Sequence, residues 1–457
     1  MNAVDRTALP VLGASEPFHF PRIERHLLAN GLELRAVAHK NVPVLSAVLL
    51  VPGGTAADSP ARPGLAAFTA DLLDEGSDGR SALAVSDAIA RLGADLDVDV
   101  GPDATVVSLT SITRFTRPAL ELLAEMVIRP NLAEPDVERV RKLRLERLRQ
   151  LRDHASAVAE RALAKWLYGD HPYGHLGLGT EDAMEATGLD EVRAFHAAAF
   201  IPAGSTLVIV GDAPVDDLLA AGERAFAQWE PRPSMATVDR DAGLREPPPA
   251  TESRLAIVPR PGSPQSELRI GHVCASRSTP DYHALVLLNM ILGGQFVSRV
   301  NLNLRQDKGY TYGVRTGFDL RRGLGPFVLQ TSVQTEVTAD AVRESLRELN
   351  DIRETRPASG EEIALARASI TLGYPRSFET AHHVARGVAQ LALHGLPDTY
   401  FEEFVPRVEA VSESDVSRVA AQYLRPDRMS ILIVGDRDRS ASSLTDLKLG
   451  EPVVLTI

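Results

Sequence analysis

Two six-residue stretches decide the reading: LVIVGD at 207–212 and ILIVGD at 431–436. Each is a short apolar run rich in β-branched residues and closed by Gly-Asp, the pattern of a strand buried on both faces and ended by a turn. Gly211 and Gly435 are 224 residues apart. Pro202 and Pro426, and Val192 and Val416, repeat at the same offset, and Pro43 matches Pro264 at 221. A repeat of this length implies a tandem duplication of two homologous halves.

Outward from these strands, the tract EPRPSMATVDRDAGLREPPPATESR at 230–254 holds five prolines that disrupt regular structure and favour a semi-rigid connector. The expected organisation is an N-terminal extension (1–20), a first half (21–230), a Pro-rich linker (231–254), a second half (255–440) and a C-terminal tail (441–457). Within the first half, Asn30-Gly31 reads as a hairpin turn and 44–51 as a buried strand. The runs 96–100 and 105–109 alternate as a hairpin, and 64–75, 118–127 and 135–152 carry helical spacing. Each half is therefore expected to be an α+β unit, an antiparallel-rich sheet with helices packed on it, the two closing like a clamshell.

Composition excludes several classes. The 457 residues are 44% hydrophobic and 24% charged, as in ordinary globular chains, and too many for one typical domain. With Lys and Arg at 49 against Asp and Glu at 61, the net charge of −12 offers phosphate backbones no general attraction, so no nucleic-acid partner is expected. A single cysteine, Cys274, leaves any metal site to His and carboxylates. No run approaches the ~18 uninterrupted apolar residues of a membrane span, and the N-terminus lacks a basic start followed by an apolar run. A cytoplasmic location is slightly favoured, or a periplasmic one if a signal has been removed.

Three segments give the chain its resemblance: PGLAAFTADLLDEGS (63–77), HPYGHLGLG (171–179) and GGQFVSRVNLNLRQDKGYTYGV (293–314). In this order and spacing they resemble the pitrilysin/insulinase family of zinc peptidases, which includes mitochondrial processing peptidase, over roughly residues 20–440. Family enzymes carry H-x-x-E-H on a helix of the first half. Histidines at i and i+4 share a helical face and grip one Zn²⁺, and the Glu acts as base. The resemblance places the motif on Ala67, Ala70 and Asp71, where all three functional residues are absent. A later Glu completes the family's zinc shell, and Glu146 falls in the corresponding helix. Two carboxylates without imidazole hold zinc poorly, so Ala67, Ala70 and Asp71 read as ordinary helix residues, Glu146 as a solvated charge, and no metal is expected in this chain. His171 and His175 have i, i+4 spacing, but Pro172 and Gly174 between them make a turn the expected structure.

In LRQDKGYTY, Arg305 and Tyr312 match the family's arginine–tyrosine pair, which donates hydrogen bonds to a substrate carbonyl and its oxyanion. Strand alternation would put Tyr310 on the same face as Tyr312, making it the residue most easily confused with it. The resemblance thus implies a non-catalytic subunit that pairs with a homologous zinc-bearing peptidase subunit, as heterodimer or larger assembly. The chain would contribute Arg305 and Tyr312 in trans and form half of a chamber for extended peptides. It is expected to be inactive alone, with zinc in the partner. The alternative is a structural or peptide-binding clamshell without a peptidase role.

Overall fold

The computed structural model describes residues 18–230, Leu244 and 254–456, so most of the Pro-rich linker and of the N-terminal extension lies outside the described residues. Two six-stranded sheets organise the rest. In sheet order, the first contains β1 (Glu24–Leu27), β2 (Glu33–Ala38), β8 (Thr206–Gly211), β3 (Val44–Pro52), β7 (Ala104–Ile112) and β6 (Asp95–Val100). The second, beginning at the matching edge, contains β14 (Val453–Val454), β9 (Leu255–Pro259), β13 (Ser430–Gly435), β10 (Gln265–Ala275), β12 (Gly325–Gln334) and β11 (Val314–Phe318). The short hairpin of β4 (Gly76–Ser77) and β5 (Arg80–Ser81) stands apart.

The two quoted stretches, β8 and β13, occupy the same interior place in their sheets. Each pairs in parallel with one neighbour, β2 or β9, and antiparallel with the other, β3 or β10. All six residues of both are buried, which is why, after Thr206 and Ser430 at their starts, their sequences are continuously apolar. By contrast β6, at an edge, alternates as DLDVDV with every Asp exposed. Gly31, at φ +90°, makes the β1–β2 turn.

Helices are exchanged between the halves. Helix Ala155–Tyr168 comes from the first half but packs on β10 and β13 of the second sheet. Helix Ala381–His394 comes from the second half and packs on β3 and β8 of the first. Val37, Val48, Val208 and Val210 consequently share one core with Val384, Ala385 and Val388. An amphipathic helix must bury its apolar stripe somewhere, and here each stripe fastens one half onto the other. The outer segments join in: Phe20 packs edge-on against Phe378 and at a tilt against Phe401 of the second half. Residues 453–454, in the stretch set apart as a tail, supply the sixth strand of the second sheet. Helix-forming residues Tyr282–Asp307 are long and apolar enough to cross a membrane, yet Leu285, Leu287, Leu288, Ile291 and Leu292 within them are core.

A buried polar junction also joins the halves. The Tyr173 hydroxyl donates to the Asp103 carboxylate and accepts from the Gly323 N–H at 3.0 Å, while the Arg322 N–H donates to Asp103 at 2.9 Å. Tyr173 is 1% exposed, so losing its hydroxyl strands a buried acceptor and a buried donor. Tyr173→Phe is expected to lower unfolding stability by about 2–4 kcal/mol, read as a lower denaturant midpoint. An unchanged midpoint would show that the junction carries no such load.

Candidate functional site

The segment resembling the zinc helix is the short helix Leu65–Ala70. Its start is fixed by Asp58, whose carboxylate is fully buried and accepts from the N–H groups of Gly64 (2.6 Å) and Ala66 (2.7 Å) and pairs with His175 Nε2 (2.9 Å). This satisfies backbone donors that a helix start leaves open. His175 therefore holds the loop 171–179 over the helix. His171 accepts the Tyr173 N–H at 3.1 Å, and the segment between the two histidines is a turn.

Ala67 and Ala70 are buried, and Asp71 caps the helix C-terminus. The Asp71 carboxylate is ion-paired with the guanidinium of Arg144, which also donates to the Gly177 carbonyl at 2.5 Å and lies 5.9 Å from the Phe68 ring centre. Arg144 is 6% exposed, a buried cation at the point where the motif would place its second histidine. Glu146 does not join Asp71. Two residues along helix Glu134–Arg152 from Arg144, it is turned about 200° away and is exposed. Among the described residues no three His, Cys, Asp or Glu side chains converge as a metal ion requires. Two methyl groups, a cation and a single carboxylate do not fit zinc, whose protein ligands are imidazole, thiolate or carboxylate. Nothing in the sequence distinguishes Arg144: in an Arg- and Glu-rich helix it looks as solvated as Glu146.

The second constellation is built on the run 282–307, which changes from α to π winding at Met290–Gly294 and again at Leu302–Asp307. Such π segments concentrate at functional sites. At the first, a Cβ on Gly293 would lie within 2.5–2.9 Å of the Thr316 side chain, so glycine lets β11 approach. Asn301 clamps that strand, accepting the Val314 N–H at 2.9 Å and donating to its carbonyl at 2.8 Å. Arg299 grips Glu362 bidentately at 2.6 and 2.7 Å. These anchors escaped the sequence reading, although polar residues recurring inside an apolar helical run (SRVNLN) are the signal that would have exposed them.

Burial pushes the Glu362 carboxyl up, but the Arg299 guanidinium and the Ser359 N–H outweigh it and hold the group down at about 2, below its ordinary 4.5. A depressed carboxyl stabilises the fold above its unfolded value and loses that contribution as pH falls through the folded one. The arginine anchor is therefore expected to weaken from pH 4.5 toward 2, costing about 1–2 kcal/mol after allowance for partial exposure. Denaturation of Glu362→Gln across that range checks it: the variant should lose this part of the pH dependence.

Arg305 and Tyr312 line one cleft of about 720 Å³ whose floor is the polar face of the second sheet, with Glu267 and Arg269 on β10 and Gln330 and Ser332 on β12. The Arg305 guanidinium lies 3.3 Å from the Phe296 ring centre, and no described carboxylate forms an ion pair with it. Tyr312 is 98% exposed. Tyr310 instead packs against the core and is tied back by its N–H to the Leu304 carbonyl at 2.8 Å. The two tyrosines do not share a strand face as alternation suggested, because 308–313 is loop and the strand begins at Val314. A guanidinium with free donors and a phenol can bind a carbonyl oxygen or the anion it becomes.

Fold and site together define a two-sheet α+β protein with a zinc-helix position whose residues do not fit zinc and an open Arg/Tyr cleft. Family models match in succession: the insulinase (peptidase family M16) model over residues 35–181 and the peptidase M16 inactive-domain model over 188–370. The chain belongs to the M16 insulinase family. An uncharacterized zinc protease of Streptomyces coelicolor is 23% identical over 93% of this chain and 92% of its own. A non-peptidase homolog of Helicobacter pylori is 20% identical over 82% of this chain and 85% of its own. A solved peptidase M16 inactive domain from Pseudomonas fluorescens superposes with a TM-score of 0.84 at 25% identity, covering 91% of this chain and 98% of that one.

Proposed function

We propose that this chain is the non-catalytic subunit of a two-chain metallopeptidase. A homologous subunit bearing H-x-x-E-H carries the metal, and this chain supplies Arg305 and Tyr312 to a shared chamber for extended peptides. The observation that carries the reading is an asymmetry. The zinc-helix position is filled by the Asp71–Arg144 ion pair, whereas Tyr312 stands 98% exposed in the same cleft as an Arg305 that no described carboxylate neutralises. An unsatisfied donor pair in an open cleft suits a substrate that arrives from outside. Phe296, which lines the cleft, and Val297 and Leu302, exposed next to cleft residues in sequence, give a partner or peptide apolar surface to cover. Sedimentation of the chain mixed with an H-x-x-E-H homologue tests the pairing. A 1:1 or 2:2 complex is expected, and two independent species would count against it. The exposed apolar rim equally serves a peptide-holding protein with no chemistry, which would bind extended peptides with or without such a partner.

A further inference from the structure

Across Asn289 from the Arg/Tyr cleft lies a second cavity, of about 510 Å³, between helix Tyr282–Asn289, helix Ala381–His394 and the start of helix Tyr400–Glu409. Its size falls within the range of small-molecule sites. Tyr282, Phe318, Phe378, Tyr400 and Phe401 line it with aromatic rings. Its polar lining is cationic or neutral. The Arg277 guanidinium lies 3.5 Å from the Tyr282 ring centre, donates to the Tyr400 hydroxyl at 2.6 Å, and forms no ion pair with any described carboxylate. His394 also lines the cavity, and its buried Nδ1 has no hydrogen-bond partner. A role for Arg277 only as a staple between two tyrosines would explain its stacking, but neither the empty volume nor the unpartnered imidazole nitrogen.

We propose that this cavity binds an amphipathic carboxylate, its apolar body against the aromatic walls and its carboxylate on Arg277. Four of the five guanidinium N–H donors remain after the bond to Tyr400, enough for a bidentate carboxylate, and the stacking on Tyr282 pre-orients the fork. The same chemistry is presented by a free fatty acid and by the C-terminal residue of an apolar peptide. The site lies outside the Arg/Tyr cleft and does not depend on the peptidase reading.

The experiment is calorimetric titration of the full chain with decanoate, decan-1-ol, N-acetyl-leucyl-phenylalanine and the amide of that dipeptide. At least one acid is expected to bind about tenfold or more tightly than its neutral counterpart, and which acid does so separates the two sources. Arg277→Gln should erase the preference for the acid. Gln390→Trp, at an exposed lining position, should weaken acid and neutral forms together about tenfold while leaving thermal stability unchanged. Equal binding of acid and neutral forms, or no heat up to about 1 mM ligand, would overturn the proposal, as would an Arg277→Gln protein that keeps the preference. If Arg277→Gln fails to fold, undiminished binding by Gln390→Trp overturns it.

Discussion

Arg305→Ala and Tyr312→Phe are each expected to lower turnover by the assembled two-chain enzyme about 10²-fold or more while leaving assembly intact. Removing one donor from a developing oxyanion costs roughly 3–4 kcal/mol in a water-excluded site, far more than a surface contact. The loss should appear in kcat more than in KM, because the interaction strengthens as charge develops on the substrate oxygen. Neither change should disturb the fold: Tyr312 is almost wholly exposed and Arg305 rests on Phe296, itself 71% exposed. Arg305→Lys should restore little, since an ammonium lacks both the planar fork and the flat face that stacks on the ring. Steady-state hydrolysis by the reconstituted pair, with sedimentation as the assembly control, decides it. Full activity in both variants would reduce the pair to a relic.

The second large effect concerns the position that zinc would occupy. Grafting Ala67→His, Ala70→Glu and Asp71→His together is expected to leave the chain with less than about a tenth of an equivalent of zinc. The cause is Arg144. With Asp71 replaced, its buried guanidinium loses its ion-pair partner and stays beside the new imidazole. A divalent ion about 4 Å from a unit positive charge is destabilised by roughly 8 kcal/mol at an effective dielectric near 20, a large part of the ~10–16 kcal/mol of a good zinc site. Adding Arg144→Glu removes the repulsion and brings a carboxylate, and this fourfold variant should retain metal where the triple one does not. Overpacking limits both, since Ala70 is fully buried and Ala67 faces Gly177 of the covering loop. Elemental analysis after gel filtration reads the outcome, and a full equivalent in the triple variant would mean that Arg144 does not govern the site.

What the sequence revealed and what it concealed have physical causes. β8 and β13 were legible because a strand covered on both faces must be apolar throughout, and because the same pattern recurs 224 residues later. The hairpins and long helices followed from period and turn chemistry. The exchange of helices 155–168 and 381–394 was not legible: periodicity shows that a helix has a face to bury but not which sheet receives it. Arg144 was hidden for a related reason, since its burial depends on a contact with Asp71 that is 73 residues distant in sequence. Arg305 and Tyr312 were found through resemblance, and their sharing of one cleft is a property of the folded chain. The misplaced expectation for Tyr310 came from extending strand alternation into a loop.

The most direct measurement is hydrolysis of an extended, internally quenched peptide by this chain alone, by an H-x-x-E-H homologue alone, and by the two mixed. The account predicts no turnover from this chain, little from the homologue, and activity in the mixture that depends on Arg305 and Tyr312. Zinc-dependent turnover by this chain alone, or a mixture no faster than the homologue by itself, would contradict it.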